Sequence, residues 1–320
     1  MHEGSRKAVL AALIANFGIA VSKLVGFLLT GAASMLAEAI HSFADCGNQS
    51  LLLLGSRLAS REAGEDRPFG YGRERYFWAF VVALVLFSLG GLFAVYEGIS
   101  KLRDPHELDS PVIAIGILAV AIGLETMSLR TALREAHDAR GEGSLWQFIR
   151  HAKSPELPVV LLEDIGAELG LLLAVAGVVT AEVTANPRWD AMGSLGIGIL
   201  LVVIAGILAT EMKSLLIGES ASPADRDAIK HAVENAPAVR SLIHLRTLHL
   251  GPEELLVAGK LELDARLTFA EVAAAINAAE DRLRQAVPSA HVVYLEPDIH
   301  RTPESGGPLS PGVEVTPPTP

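Results

Sequence analysis

A single cysteine, Cys46, is all the thiol chemistry in this 320-residue chain. It excludes an internal disulfide and any cysteine-built metal cluster. Charge is also scarce, at 20% of residues against 50% hydrophobic, and the mean hydropathy is +0.38. Because the apolar residues come in long blocks, the chain is not an ordinary soluble globule but a polytopic protein surrounded by membrane lipid, with a soluble part attached. Positive charge is not in excess. The formal net charge of −11 is spread through loops and the C-terminal third, so no nucleic-acid partner is expected. A convincing small-residue cleavage site is missing after the first apolar run, Ala8 to Thr30, which therefore reads as a span rather than a signal peptide.

The most informative segment is Ala37-Glu38-Ala39-Ile40-His41-Ser42-Phe43-Ala44-Asp45-Cys46-Gly47-Asn48-Gln49, inside an apolar run from about Ala33 to Leu54. On a helix, residues four apart share a face, so His41, Asp45 and Gln49, with Asn48 beside them, form one polar stripe. An imidazole and a carboxylate one turn apart can reach a single cation. Ionisable groups at membrane depth cost several kcal/mol and face a bundle interior or a wet cavity, which makes them functional candidates. The competing reading is that they only hydrogen-bond neighbouring helices. Cys46 points about 100° away from Asp45 and reads as a small packing residue.

Six spans are expected, at about Ala8 to Thr30, Ala33 to Leu54, Tyr76 to Tyr96, Val112 to Leu133, Leu157 to Thr180 and Met192 to Ile217. Asn16 and Lys23 of the first should face the bundle. Gly31-Ala32 makes a tight hairpin into the second, and an amphipathic connector covers Arg134 to Glu156. With the N-terminus inside, the inner segments hold Arg6, Lys7, Arg57, Arg61, Arg67, Arg73, Arg75, Arg134, Arg140, Arg150 and Lys153, against Lys101, Arg103 and Arg188 outside. That asymmetry predicts both termini in the cytoplasm and residence in the cytoplasmic (inner) membrane.

The transmembrane domain is thus expected over residues 1–220, followed by a cytoplasmic α+β domain at 221–299 and a disordered, Pro-rich tail at 300–320. In the soluble part, Ser222-Pro223 opens a helix. Val239 to Leu250 and Leu255 to Asp264 alternate at the strand period around Gly251-Pro252. Thr268 and Glu271 form a capping box, and Ala290 to Leu295 is a third strand. The order αββαβ predicts a small ferredoxin-like, two-layer sandwich.

If the second span supplies half a metal site, another must supply the rest. The fifth offers Leu162-Glu163-Asp164-Ile165-Gly166-Ala167-Glu168, and no other span is expected to offer deep acids. Asp164 and Glu168 share a face. Antiparallel packing would pair Asp45 with Asp164 and His41 with Glu168, giving one nitrogen and three carboxylates for a divalent cation. The alternative is that one fifth-span acid pairs with Lys23, while Glu163 faces a helix or the cavity mouth. Four side-chain ligands suit zinc, and a carboxylate-rich set also suits manganese or ferrous iron. Binding needs a neutral His41 and ionised carboxylates, so metal competes with protons. A site that alternates between the two faces of the membrane would make the chain a metal/proton antiporter. No cofactor and no enzymatic role is expected.

The spans, Asn16 and Lys23, the His41/Asp45 segment, the loop Arg67-Pro68-Phe69-Gly70-Tyr71-Gly72-Arg73-Glu74 and a tail domain ending Tyr294-Leu295-Glu296-Pro297 together resemble the cation diffusion facilitators over residues 5–298. The resemblance implies metal efflux from the cytoplasm, usually of zinc, by proton antiport in a homodimer whose C-terminal domains form part of the contact. It also marks departures. The family's fifth span usually carries a His/Asp pair. Here, if Asp164 is that aspartate the histidine position is Val160, and if Glu163 is that histidine the aspartate position is Ala167. The Glu163-Asp164 pattern looks like a divergent branch with a mitochondrial member in animals. Tail-domain histidines that bind regulatory zinc in other members correspond to Lys260, Ala273 and Tyr294, leaving His244, so no full zinc-sensing site is expected there.

Two further readings stand beside the antiporter. One is a metal-binding membrane sensor or scaffold with a degenerate, non-transporting site. The other is an intramembrane metal hydrolase, disfavoured because no second deep histidine or nucleophile accompanies His41.

Overall fold

The computed structural model describes residues 3–105, 110–140 and 143–300, with the side chains of 3–16 and 87–88 outside that description. The orientation of Asn16 and the state of the tail beyond His300 therefore lie outside the described residues. The chain forms two compact units: one runs through Arg61 and then from Glu74 to Lys213, the other joins Glu62–Arg73 to the chain from Ser214 onward.

The first unit is helical. Its elements are α1 (Glu3–Thr30), α2 (Ala33–Ala59), a continuous rod of α3 (Glu74–Val85), a π-helical stretch (Leu86–Leu92) and α4 (Phe93–Arg103), then α5 (Pro111–Arg140), the short α6 (Leu145–His151), α7 (Glu156–Thr184) and α8 (Arg188–Ile217). Each of the six expected spans falls on one of the six long rods, which at about 1.5 Å per residue exceed a hydrocarbon core of about 30 Å. Among the described residues, three rods, Glu74–Arg103, Pro111–Arg140 and Arg188–Ile217, are long and apolar enough to cross a membrane, and α1 adds the apolar stretch Phe17–Thr30. The bundle's helices also expose large apolar side chains, with Val112 of α5 and Val183 of α7 each 80% exposed. A surface of that kind is stable against lipid rather than water.

Local chemistry explains the joints. Gly31 takes φ +64° after α1 and donates its N–H to the Phe27 carbonyl at 2.7 Å, a left-handed helix end that glycine adopts without strain. The expected connector after the fourth span is partly helical: α5 runs on to Arg140, and Ser144 and Gln147 form the capping box of α6. Close helix approach relies on small residues. A Cβ on Gly98 would stand 2.9 Å from the Leu195 nitrogen, and one on Gly198 would stand 2.7 Å from the Val95 nitrogen.

The second unit contains α9 (Pro223–Glu234), β1 (Val239–Gly251), β2 (Glu254–Leu263), α10 (Phe269–Ala286) and β3 (Val292–Pro297). Their order is the αββαβ expected from sequence. β1 pairs antiparallel with β2, and β2 pairs parallel with β3, so α10 is the crossover that a parallel pair requires. Along β2 every second residue is buried from Leu255 to Leu261, the period of a sheet with one covered face. Ile229 and Val233 of α9 and Ala279 and Leu283 of α10 pack with Leu242, Leu255, Val257, Leu261, Val293 and Leu295. The segment Glu62–Arg73 belongs to this unit. A Cβ on Gly72 would stand 2.8 Å from the Leu250 carbonyl oxygen, and the Arg67 guanidinium lies 4.9 Å from the centre of the Tyr71 ring.

Candidate metal centre

The site begins with a helix whose polar residues repeat every fourth position. On α2, His41 is fully buried. Neither ring nitrogen has a hydrogen-bond partner, and Nδ1 lies 3.5 Å from Oδ1 of Asp45. Burying an unpaired polar group is costly, so this imidazole is held as a free donor set aimed at a carboxylate.

Asp45 opens onto a small cavity of about 20 Å³, lined by Ser42, Asp45 and Gln49 of α2, Ile19 of α1, Glu125 of α5, and Glu163, Asp164 and Ala167 of α7. The volume matches one water-sized occupant. Two contacts set α2 against α7: Asn48 donates from Nδ2 to Glu163 Oε1, and Gly170 sits against the Glu38 carboxylate. Between those contacts the helices run antiparallel, which puts Asp45 level with Asp164 and His41 level with Glu168.

The side chains then part company. Asp164 faces the cavity and accepts from the Ser128 hydroxyl of α5 at 3.0 Å. Glu168 is not among the cavity residues; its Oε1 accepts from Thr126 of α5 at 2.9 Å. Glu163, expected against a helix or at the cavity mouth, lines the cavity and is buried at 5% exposure. Among the described residues no group of three or more His, Cys, Asp or Glu forms a ready-made metal cage.

One expectation needs correcting: the fifth span is not the only further source of deep acids. Glu125 of α5 lines the same cavity, and the signal was a lone charge, Leu124-Glu125-Thr126, within the apolar fourth span. Lys23 is also placed differently from the alternative weighed for it. Fully buried, it bonds Glu38 at 3.2 Å and Ser42 at 2.8 Å, with Glu125 at 3.8 Å. None of these partners is on α7. Cys46 is buried and unoxidised, off the cavity lining.

In the tail domain, His244 stands opposite Lys260 on the neighbouring strand. Burial pushes its imidazole below the usual range, and the charges of Arg246 and Lys260 push the same way. The Lys260 ammonium is bound to Asp298 at 2.7 Å, and Tyr294 is exposed on β3. A cation is a poor match for a histidine held between two positive side chains.

Comparison with known proteins agrees with the architecture. The cation efflux transmembrane domain profile matches residues 9–217, and the profile of the cation efflux protein cytoplasmic domain matches 221–297. Relatives include the "Proton-coupled zinc antiporter SLC30A9, mitochondrial" of Xenopus laevis, 32% identical over 83% of this chain and 48% of its own length. The human protein of that name is 30% identical over 83% of this chain and 47% of its own. The "Cation-efflux pump FieF" of Pectobacterium atrosepticum is 23% identical over 89% of this chain and 90% of its own. The chain therefore spans about half the length of the mitochondrial relatives and nearly all of the bacterial one. With one profile covering the helical bundle and a second covering the sheet domain, the chain belongs to the cation efflux family, the cation diffusion facilitators.

Proposed function

We propose that this chain exports a divalent cation across its membrane in exchange for protons, with zinc as the first candidate cargo. The observation that carries the reading is the cavity joining carboxylates of α2, α5 and α7 inside an apolar helical bundle. Acids at that depth are costly unless they serve a cation. In this reading Asp45 and Asp164 are the central ligands, His41 supplies nitrogen beside Asp45, and Glu168 or Glu163 completes the set. Each must be deprotonated to bind metal, so loading metal releases protons and proton entry from the other side expels metal. The name of the Xenopus laevis relative supports zinc and proton coupling.

The wider assignment follows the same logic. The chain works as a homodimer through its tail domain, in the cytoplasmic membrane, with both termini on the cytoplasmic side. Tag accessibility in intact cells tests that orientation.

The deciding experiment is metal uptake into proteoliposomes under an imposed pH gradient, comparing zinc, manganese, ferrous iron, cobalt and cadmium for the native chain and Asp45→Ala. Transport that collapses in the variant supports the antiporter. Retained metal binding with no transport of any metal and no metal-stimulated proton flux would replace it with the sensor or scaffold reading.

A further inference from the structure

The cavity's carboxylates do not all have the same neighbours. Glu125 alone among them comes from α5, and it stands beside an amine, with Lys23 Nζ 3.8 Å from its Oε1. That amine is fully buried and shared: it also donates to the Ser42 hydroxyl at 2.8 Å and to Glu38 at 3.2 Å. Lys23 thus keeps two close partners if Glu125 leaves. Ser42 and Glu125 both line the cavity, so the ammonium sits directly behind its wall. A second observation independently points to a cation at Asp45, which lines the cavity. His41, with no hydrogen bond to either ring nitrogen, faces the Asp45 carboxylate at 3.5 Å, and Asp45 Oδ1 is itself buried without a hydrogen bond.

We propose that Glu125 is a ligand for the transported cation, restrained by Lys23 while the cavity is empty and released to the metal on loading. The inference rests on the export reading above and adds one ligand, from α5, to the set named there. In the empty state Lys23 neutralises part of the charge of Glu125, which would otherwise add to the repulsion among Asp45, Glu163 and Asp164. An incoming dication takes over that role. Glu125 swings from a singly charged partner at the edge of hydrogen-bonding range to a doubly charged one, while Glu38 and Ser42 hold the ammonium in place. The family's usual pair of deep helices is extended here by a third, α5, and the fourth oxygen donor is restrained in the resting state.

The test is zinc and cobalt binding to the purified full chain in detergent, by competition titration, for the native protein, Asp45→Asn, Glu125→Gln and Glu125→Asp. Lys23→Met/Glu38→Gln joins the set because it removes two opposite buried charges together and leaves neither unpaired. The expected result is loss of binding in Asp45→Asn, at least tenfold weaker binding in Glu125→Gln with partial recovery in Glu125→Asp, and at least threefold tighter binding in Lys23→Met/Glu38→Gln. Adding Glu125→Gln to that pair should erase the gain. Native affinity in Glu125→Gln alongside loss in Asp45→Asn would overturn the role of Glu125 and leave the export reading standing. A gain from Lys23→Met/Glu38→Gln that persists without Glu125 would overturn the restraint. Native affinity in Asp45→Asn would bring down the export reading itself.

Discussion

Lys101, in the last turn of α4, and Asp190, in the first turn of α8, form a buried ion pair with 3.1 Å between Nζ and Oδ2. The same aspartate accepts the Ala33 N–H at 2.8 Å and bonds the Ser34 hydroxyl, while Lys101 also donates to the Gly31 carbonyl at 2.6 Å. The start of α2 has no cap of its own, since Ala32 offers no side-chain acceptor. Asp190 supplies that cap from another helix and places a negative charge at a positive helix terminus.

Asp190→Asn should therefore destabilise the bundle strongly. Removing one partner of a buried ion pair leaves the other uncompensated, at a cost of about 3–5 kcal/mol. Denaturant or thermal unfolding of the purified chain in micelles reads this loss. A midpoint equal to native would show that the pair contributes nothing.

The carboxylates divide by position. Asp164→Asn should reduce metal transport as severely as Asp45→Ala, because both line the cavity at the same level. Glu163→Gln and Glu168→Gln then decide which acid completes the site. Loss confined to Glu168→Gln requires its side chain to leave Thr126 during transport, and loss confined to Glu163→Gln assigns the cavity residue. Vesicle uptake rates for the four variants, at matched reconstitution, make the comparison.

Helix contact sets a third expectation. Gly198→Ala places a methyl group 2.7 Å from the Val95 nitrogen and 3.0 Å from the Gly91 carbonyl oxygen. Backbone cannot yield as a flexible side chain can, so the α4 rod and α8 must separate, at a cost of about 1–3 kcal/mol. Gly206→Ala, where a Cβ meets nothing within 4 Å, is the control and should unfold at the native midpoint.

The tail domain responds to pH through a helix cap. Glu271 is held below the usual glutamate range chiefly by the Thr268 backbone N–H and then by the Thr268 hydroxyl. A carboxyl lowered on folding stabilises the folded state above its unfolded value of about 4.3, and that contribution disappears as pH falls through the lower folded value. Thr268→Ala should cost about 1 kcal/mol by removing the cap acceptor. Hydrogen exchange in the first turn of α10, compared at matched pH, should be faster in the variant.

The fold was legible where one residue type has one use. Thr268 with Glu271, Ser222 before Pro223, the alternation of Leu255, Val257 and Leu261, and Gly31 between two apolar runs each announce a local geometry that needs no distant partner. The cavity was only half legible. The four-residue spacing of His41 and Asp45 shows a common face, but the direction in which Glu163 and Glu168 turn depends on Asn48 and Thr126, which lie on other helices. Glu125 was hidden for another reason. A solitary charge in an apolar span has no spacing to read, and its meaning comes from Lys23, about a hundred positions earlier in the chain.

The attachment of Glu62–Arg73 to the sheet domain has a topological consequence. The polypeptide enters that unit after Arg61, leaves it before Glu74 and enters again after Lys213. The two units are thus connected by three covalent strands. A protease cut after Glu219 severs the sheet from the chain, but it leaves Gly72 and its neighbours behind without the Leu250–Gly251 backbone they rest on. Grafting the tail onto another bundle would likewise have to carry the α2–α3 loop with it, so the two segments form one inheritable unit despite lying about 150 residues apart.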